Sequence, residues 1–210
     1  MWFFAVFALA GGAAQLVDGT LGMGFGVTSA TILLSMGVTA AAASAATHAA
    51  KLPTTFVSGI AHWRQGNVDG ATFLRLAIPG AVMAFIGAVV LVNLSLAAAK
   101  TWMAGLLLFF GLVILLRFGF NYRLIPAPRG GHTAWWLSPI GAVGGLVDSL
   151  GGGGWGPVVT PSLMTVTKHQ PRKVVGSVSA SEFVVALAAS AGFLTGAEKL
   201  ENDMPWFAVL

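Results

Sequence analysis

Long apolar runs alternate with short polar punctuation along this chain, and the runs set its architecture. Uncharged residues fill Leu76 to Ala99 and, after Lys100, Thr101 to Leu116 ahead of Arg117. A helix needs roughly 20 residues to cross a hydrocarbon layer of about 30 Å. The first run is long enough for one membrane span. The second is shorter, but Lys100 and Arg117 at its ends can snorkel to the two interfaces. Leu, Ala, Val, Phe and Gly follow one another without strict alternation, which predicts helices rather than barrel strands. The expected fold class is all-α, a polytopic membrane protein.

Composition strengthens that reading. Hydrophobic residues make up 56% of the chain and charged residues 9%, and the mean hydropathy is +0.84. A soluble surface cannot be built from that mixture. The sequence pI of about 10.0 would suggest nucleic acid in a soluble protein. In this chain the basic residues gather at the ends of apolar runs, where membrane topology accounts for them. There is no cysteine, hence no disulfide and no thiolate ligand, and the four histidines are scattered. No metal site and no cofactor are expected. The N-terminal MWFFAVFALAGGAAQ lacks a basic leader and runs directly into further apolar sequence, so it reads as mature protein.

One segment occurs twice. LVDGTLGMGFG at residues 16–26 and LVDSLGGGGWG at residues 146–156 lie 130 positions apart and align without gaps. Leu16, Val17, Asp18, Gly22, Gly24 and Gly26 match Leu146, Val147, Asp148, Gly152, Gly154 and Gly156, and Phe25 stands opposite Trp155. An ordered Asp followed by spaced glycines is hard to match by composition alone. The chain therefore divides into a first transmembrane repeat (1–120), a basic cytoplasmic linker (121–133) and a second transmembrane repeat (134–210). By the offset, two further spans are due after residue 205, so the second repeat is expected to be incomplete at its C-terminus.

Charge counting then bears on topology. No basic residue occurs in the 38 positions between Arg129 and Lys168, too many for one straight span but suited to two short helices meeting at the glycines, which disfavour helix and permit a sharp turn. If both glycine-broken segments dip into the membrane and return, Arg64, Arg75, Arg117, Arg123, Arg129, Lys168, Arg172 and Lys173 lie inside, with only Lys100 and Lys199 outside. If they cross, the division is six against four. The positive-inside tendency favours the re-entrant hairpins, which place residues 125 and 170 on the same, cytoplasmic side. Each complete half then has one hairpin and three spans. Three is odd, so the second half inserts upside down. Inverted repeats of this kind belong to secondary transporters, with the binding site where the broken helices meet near the midplane.

The duplicated Asp-x-x-x-Gly-x-Gly-aromatic-Gly segments, the Ala/Ser/Thr-rich AAASAATHAAKLPTTFVSG at residues 41–59 and the basic linker together resemble the TauE/SafE family of sulfite exporters and related anion permeases. The resemblance covers essentially the whole chain. It implies a multi-pass location in the cytoplasmic membrane, transport without ATP hydrolysis, and a substrate among sulfite, sulfonates and other small organic anions. The expected partners are a small anionic substrate and the lipid bilayer, with a homo-oligomer left open and no nucleic acid. An anion channel on the same scaffold, or a non-transporting membrane scaffold, are the alternatives. An enzyme is not expected, since the chain lacks a nucleotide-binding loop, a metal cluster and a nucleophile–base pair.

Several residues are candidates for the site, each with a plainer reading beside it. Gly22, Gly24, Gly26, Gly152, Gly154 and Gly156 can let helices pack closely, or can expose backbone N–H groups and positive helix ends to an anion. Asp18 and Asp148 can cap the second short helix of each break, or carry a coupling proton. Ser44, His48, Lys51, Thr55, Ser58 and His62 recur at helical spacing and share one face. Hydrogen bonding between helices accounts for the hydroxyls. Lys51 is costly inside a span unless it meets an anion or water. It is expected either to bind the substrate, with His48 and Thr55 beside it, or to be neutralised by Glu182, which lies one position from its symmetry equivalent. His48 could accept a proton near neutral pH. Pro53 is expected to kink its helix, and Trp135 and Trp136 to anchor at the interface.

Overall fold

The computed structural model describes residues 9, 11–16, 18, 23–116, 133–167 and 169–203. Most of the linker expected at 121–133, the Gly22 position and the basic residues Arg117, Arg123, Arg129 and Lys168 lie outside the described residues. Everything regular among the described residues is helical. A first segment, α1, covers residues 11–16. There follow α2 (Phe25–Ser35), α3 (Ala40–Arg64), α4 (Gly70–Asn93), α5 (Leu96–Ile114), α6 (Thr133–Gly151), α7 (Trp155–Val166), α8 (Pro171–Leu194) and α9 (Ala197–Asp203).

The sequence offset of 130 reappears in these boundaries. Adding it to the start of α2 gives the start of α7, and adding it to the end of α3 gives the end of α8. The same offset thus relates the boundaries of α2 and α3 to those of α7 and α8.

Helices α4, α5 and α8 are long and apolar enough to cross a membrane. Large apolar side chains on their outer faces are exposed, among them Ile78, Trp102, Leu108, Phe109 and Leu187, as a lipid-facing surface requires. This is a membrane protein. Trp135 and Trp136 are likewise exposed at the start of α6.

The expected span from Leu76 to Ala99 is divided in the structure. Helix α4 ends at Asn93, and Ser95 starts α5 by accepting a hydrogen bond from the Ala98 N–H at 3.4 Å. A hydropathy reading sees an unbroken apolar run there, whereas the single hydroxyl cap sets the boundary. The α3–α4 turn is fixed in the same way. Asp69 accepts from Thr72 N–H at 2.8 Å, and its own N–H donates to Ser177 on α8 at 2.9 Å. Hydrogen bonding from Thr72 lowers the Asp69 carboxyl below its ordinary range.

The core forms where α4 packs on α6 and α8, and α3 on α8. Small residues bring the backbones together. A Cβ on Gly145 would strike the Gly80 carbonyl, and one on Gly141 would lie 2.6 Å from the Leu76 carbonyl oxygen. Gly80 and Gly144 also leave room for the Trp155 ring, which is completely buried and donates through Nε1 to the Val178 carbonyl at 3.2 Å. Trp155 therefore locks the start of α7 against α8, and the site is assembled around that start.

Candidate functional site

Two helix starts face each other. Gly24 precedes α2 with φ 133°, and Gly152 lies between α6 and α7 with φ 72°. Both values fall where side chains other than glycine are strained. The starts approach so closely that a Cβ on Gly26 would strike Gly153 and lie 2.6 Å from the Gly152 carbonyl oxygen.

Each start is held by an acid seven residues upstream. Phe25 N–H donates to Asp18 Oδ1 at 3.2 Å, and Trp155 N–H donates to Asp148 Oδ1 at 3.0 Å. A carboxylate at a helix N-terminus takes up an orphan donor and favours the positive end of the dipole. The next N–H groups, Gly26 and Gly156, belong to first turns that have no intrahelical acceptor for them.

Helix α3 supplies the charged wall. Its alanine-rich start suits helix, and Thr39 caps it through Ala42 N–H. Pro53 lies inside one continuous helix, while the Thr54 and Thr55 hydroxyls both donate to the Lys51 carbonyl, at 3.0 and 2.6 Å. The helix face that carries Ser44, Thr47, His48, Lys51 and Thr55 is buried. Ser58 and His62, further along the stripe, are only partly buried.

Lys51 Nζ lies 3.2 Å from Asp148 Oδ1 and 3.1 Å from Glu182 Oε1. His48 Nε2 lies 3.0 Å from Asp148 Oδ2, and its Nδ1 lies 2.8 Å from the Ser44 carbonyl oxygen. The Ser44 hydroxyl donates to the Ser149 carbonyl at 2.7 Å, tying α3 to the end of α6. Phe193 on α8 packs on the imidazole, with ring centroids 5.9 Å apart.

Between the helix starts, walled by α3 and α8, is a cavity of about 160 Å³. Gly24, Gly26, Gly153 and Gly156 form its backbone surface, and Asp18, Lys51, Thr55 and Glu182 reach it. Of the residues expected at the site, Gly152, Gly154, His48 and Asp148 do not line the cavity. Gly152 and Gly154 shape the turn, and His48 and Asp148 stand behind Lys51.

The offset of 130 brings Glu182 beside the equivalent of Lys51 but gives no sign of the second carboxylate, Asp148. The offset explains why the two acids differ. The counterparts of His48 and Lys51 at +130 are Val178 and Ser181, so those two positions give Asp18 no base where the corresponding ones give Asp148 two. Gln15, Thr160 and Ser179, which also line the cavity, carry no sequence signal beyond being polar in helices.

Residues 7–210 match the family model described as Sulfite exporter TauE/SafE. A probable membrane transporter protein, YtnM, from Bacillus subtilis (strain 168) is 46% identical over 192 residues, covering 90% of this chain and 63% of that protein. The chain thus spans less than two thirds of this relative's length. No solved structure gives a significant match.

Proposed function

The chain belongs to the sulfite exporter TauE/SafE family, and from that premise we propose that it is a secondary carrier of the cytoplasmic membrane, moving a small sulfur-containing anion such as sulfite or a sulfonate by alternating access. One observation carries the reading: a buried ammonium, Lys51, reaches a small cavity between two duplicated helix starts. A lysine is costly inside a membrane unless it meets a carboxylate, water or an anion, and first-turn N–H groups at Gly26 and Gly156 suit an oxyanion. The cavity's volume suits a substrate of a few heavy atoms.

In this proposal residues 1–120 and 134–210 are two inverted repeats, each with a re-entrant hairpin broken at its glycines, and the site lies near the bilayer midplane. Lys51, Thr55 and the backbone at Gly24, Gly26 and Gly156 contact the anion. His48, Asp148, Gly152 and Gly154 hold that surface in shape. Gly22 belongs to the first break by sequence.

The test is thermal unfolding of the purified protein with sulfite, sulfate, sulfonates and carboxylates at equal ionic strength. A ligand at about 100 times its Kd stabilises the native state by about 2.7 kcal/mol. The expected result is a selective rise in Tm of several degrees with one or more sulfur oxyanions. A rise confined to carboxylates would overturn the substrate class, and no rise with any anion beyond a chloride control would overturn the anion site.

A further inference from the structure

We propose that the coupling ion of this carrier is a proton taken up by Glu182, and that this proton releases Lys51 to the anion. The inference rests on the anion-carrier reading above and adds the means by which the site is switched.

Four of the ionisable side chains at the site form an alternating row: His48, Asp148, Lys51, Glu182. Its two carboxylates are not equivalent. Asp148 is fully buried and is met by Lys51, His48 and the Trp155 N–H, so its charge is compensated on every side. Glu182 has Lys51 as its hydrogen-bonding partner among the described residues, keeps 20% of its side chain exposed and lies on the cavity wall. Of the two it is the acid that water in the cavity can reach; Asp18, also on the cavity, holds the start of α2 through the Phe25 N–H and does not pair with Lys51 among the described residues.

The charge balance follows from the hydrogen bonds. Lys51 lies between the Asp148 and Glu182 carboxylates, so its positive charge is already met on both sides. An anion arriving at Lys51 finds the Glu182 carboxylate in its place, and the Asp18 carboxylate on the same cavity adds to the repulsion.

Hydronium reaching the cavity gives its proton to the Glu182 carboxylate: one of its O–H bonds breaks, one forms on Glu182, neutral water remains, and the site loses one negative charge. The site then holds one negative charge fewer, and Lys51, with three N–H donors, keeps Asp148 and turns a freed donor to the cavity. The anion and the proton enter together as a neutral pair. On release of the anion Lys51 returns to Glu182, and the proton goes back to water. Other groups packed against this part of α8 do not take the role. Helix α7 has no ionisable side chain, α4 brings only Arg75, which is exposed, and the other ionisable residues of α3, His62 and Arg64, lie in its last turn beyond the cavity-lining Ser58.

Methanesulfonate and sulfate keep their charge between about pH 5 and pH 8, so their binding reports the protein's titration alone. For the wild-type protein the Kd of methanesulfonate is expected to rise by up to about tenfold per pH unit above the Glu182 titration. Calorimetry in two buffers of different ionisation enthalpy should read about one proton taken up per anion. Glu182→Gln should abolish that pH dependence and bind at high pH at least as tightly as wild type binds at low pH. Wild-type binding that is independent of pH and takes up no proton would overturn the coupling while leaving the anion carrier intact. PH dependence that persists in Glu182→Gln would overturn the assignment to this residue. Failure of the wild-type protein to bind any anion at any pH would overturn the carrier reading and the coupling with it, and a folded Glu182→Gln that binds none while wild type binds would overturn the release of Lys51 by a neutral Glu182. If the variant does not fold, the wild-type calorimetry decides.

Discussion

Lys51→Met is expected to lower the stability of the ligand-free protein by about 3–5 kcal/mol, the range for removing one partner of a buried ion pair. Asp148 has no exposed surface and draws on Lys51 at 3.2 Å. Methionine keeps the length of the side chain and removes the charge. The carboxylate is then left to His48 and one backbone N–H. The second partner separates two causes of the loss. Asp148→Asn in the Lys51→Met background should restore more stability than Glu182→Gln, because Glu182 can draw on water in the cavity and Asp148 cannot. Chemical unfolding of the four proteins in detergent reads this directly. A single Lys51→Met variant as stable as wild type would mean that Asp148 is not ionised against it.

Gly26→Ala and Gly153→Ala are expected to destabilise the fold at or beyond the upper end of the overpacking range, about 3 kcal/mol. In each case the new Cβ meets backbone of the opposing helix start: Gly153 in the first, Gly26 and Val27 in the second. A flexible side chain could turn away, but these atoms belong to α2 and to the turn before α7, which must separate. Gly105→Ala on α5 is the control, since a Cβ there meets nothing within 4 Å and alanine is the better helix former. Thermal unfolding and yield of monodisperse protein should fall for the first two and hold for the third. Equal stability of all three would contradict the close approach of the helix starts.

Parts of this arrangement were legible in the sequence for physical reasons. Glycines spaced after an acid, twice, mark breaks because few other residues tolerate the backbone angles seen at Gly24 and Gly152. The stripe from Ser44 to Thr55 was legible because helical period alone places those residues on one face. The end of α4 was not, since hydropathy averages over a cap made by one serine. Nor was the Lys51–Asp148 pair. Those residues are 97 positions apart, and their meeting depends on how α3 crosses the end of α6, which is set by contacts such as the Ser44 hydroxyl to the Ser149 carbonyl. Glu182 was within reach only because the internal offset brought it beside the equivalent of Lys51.

The central claim is that a small anion occupies the cavity between the two helix starts, and its most direct test is protection of that cavity from a thiol reagent. The chain has no cysteine, so Ser58→Cys on α3 and Ser179→Cys on α8, both lining the cavity, each give a single reactive position. Labelling by a membrane-impermeant maleimide is measured with increasing methanesulfonate, against chloride at the same ionic strength. The anion is expected to slow labelling at both positions, half-maximally at the concentration that gives half-maximal thermal stabilisation. Unchanged labelling at both positions under saturating anion would place the anion elsewhere and contradict the account.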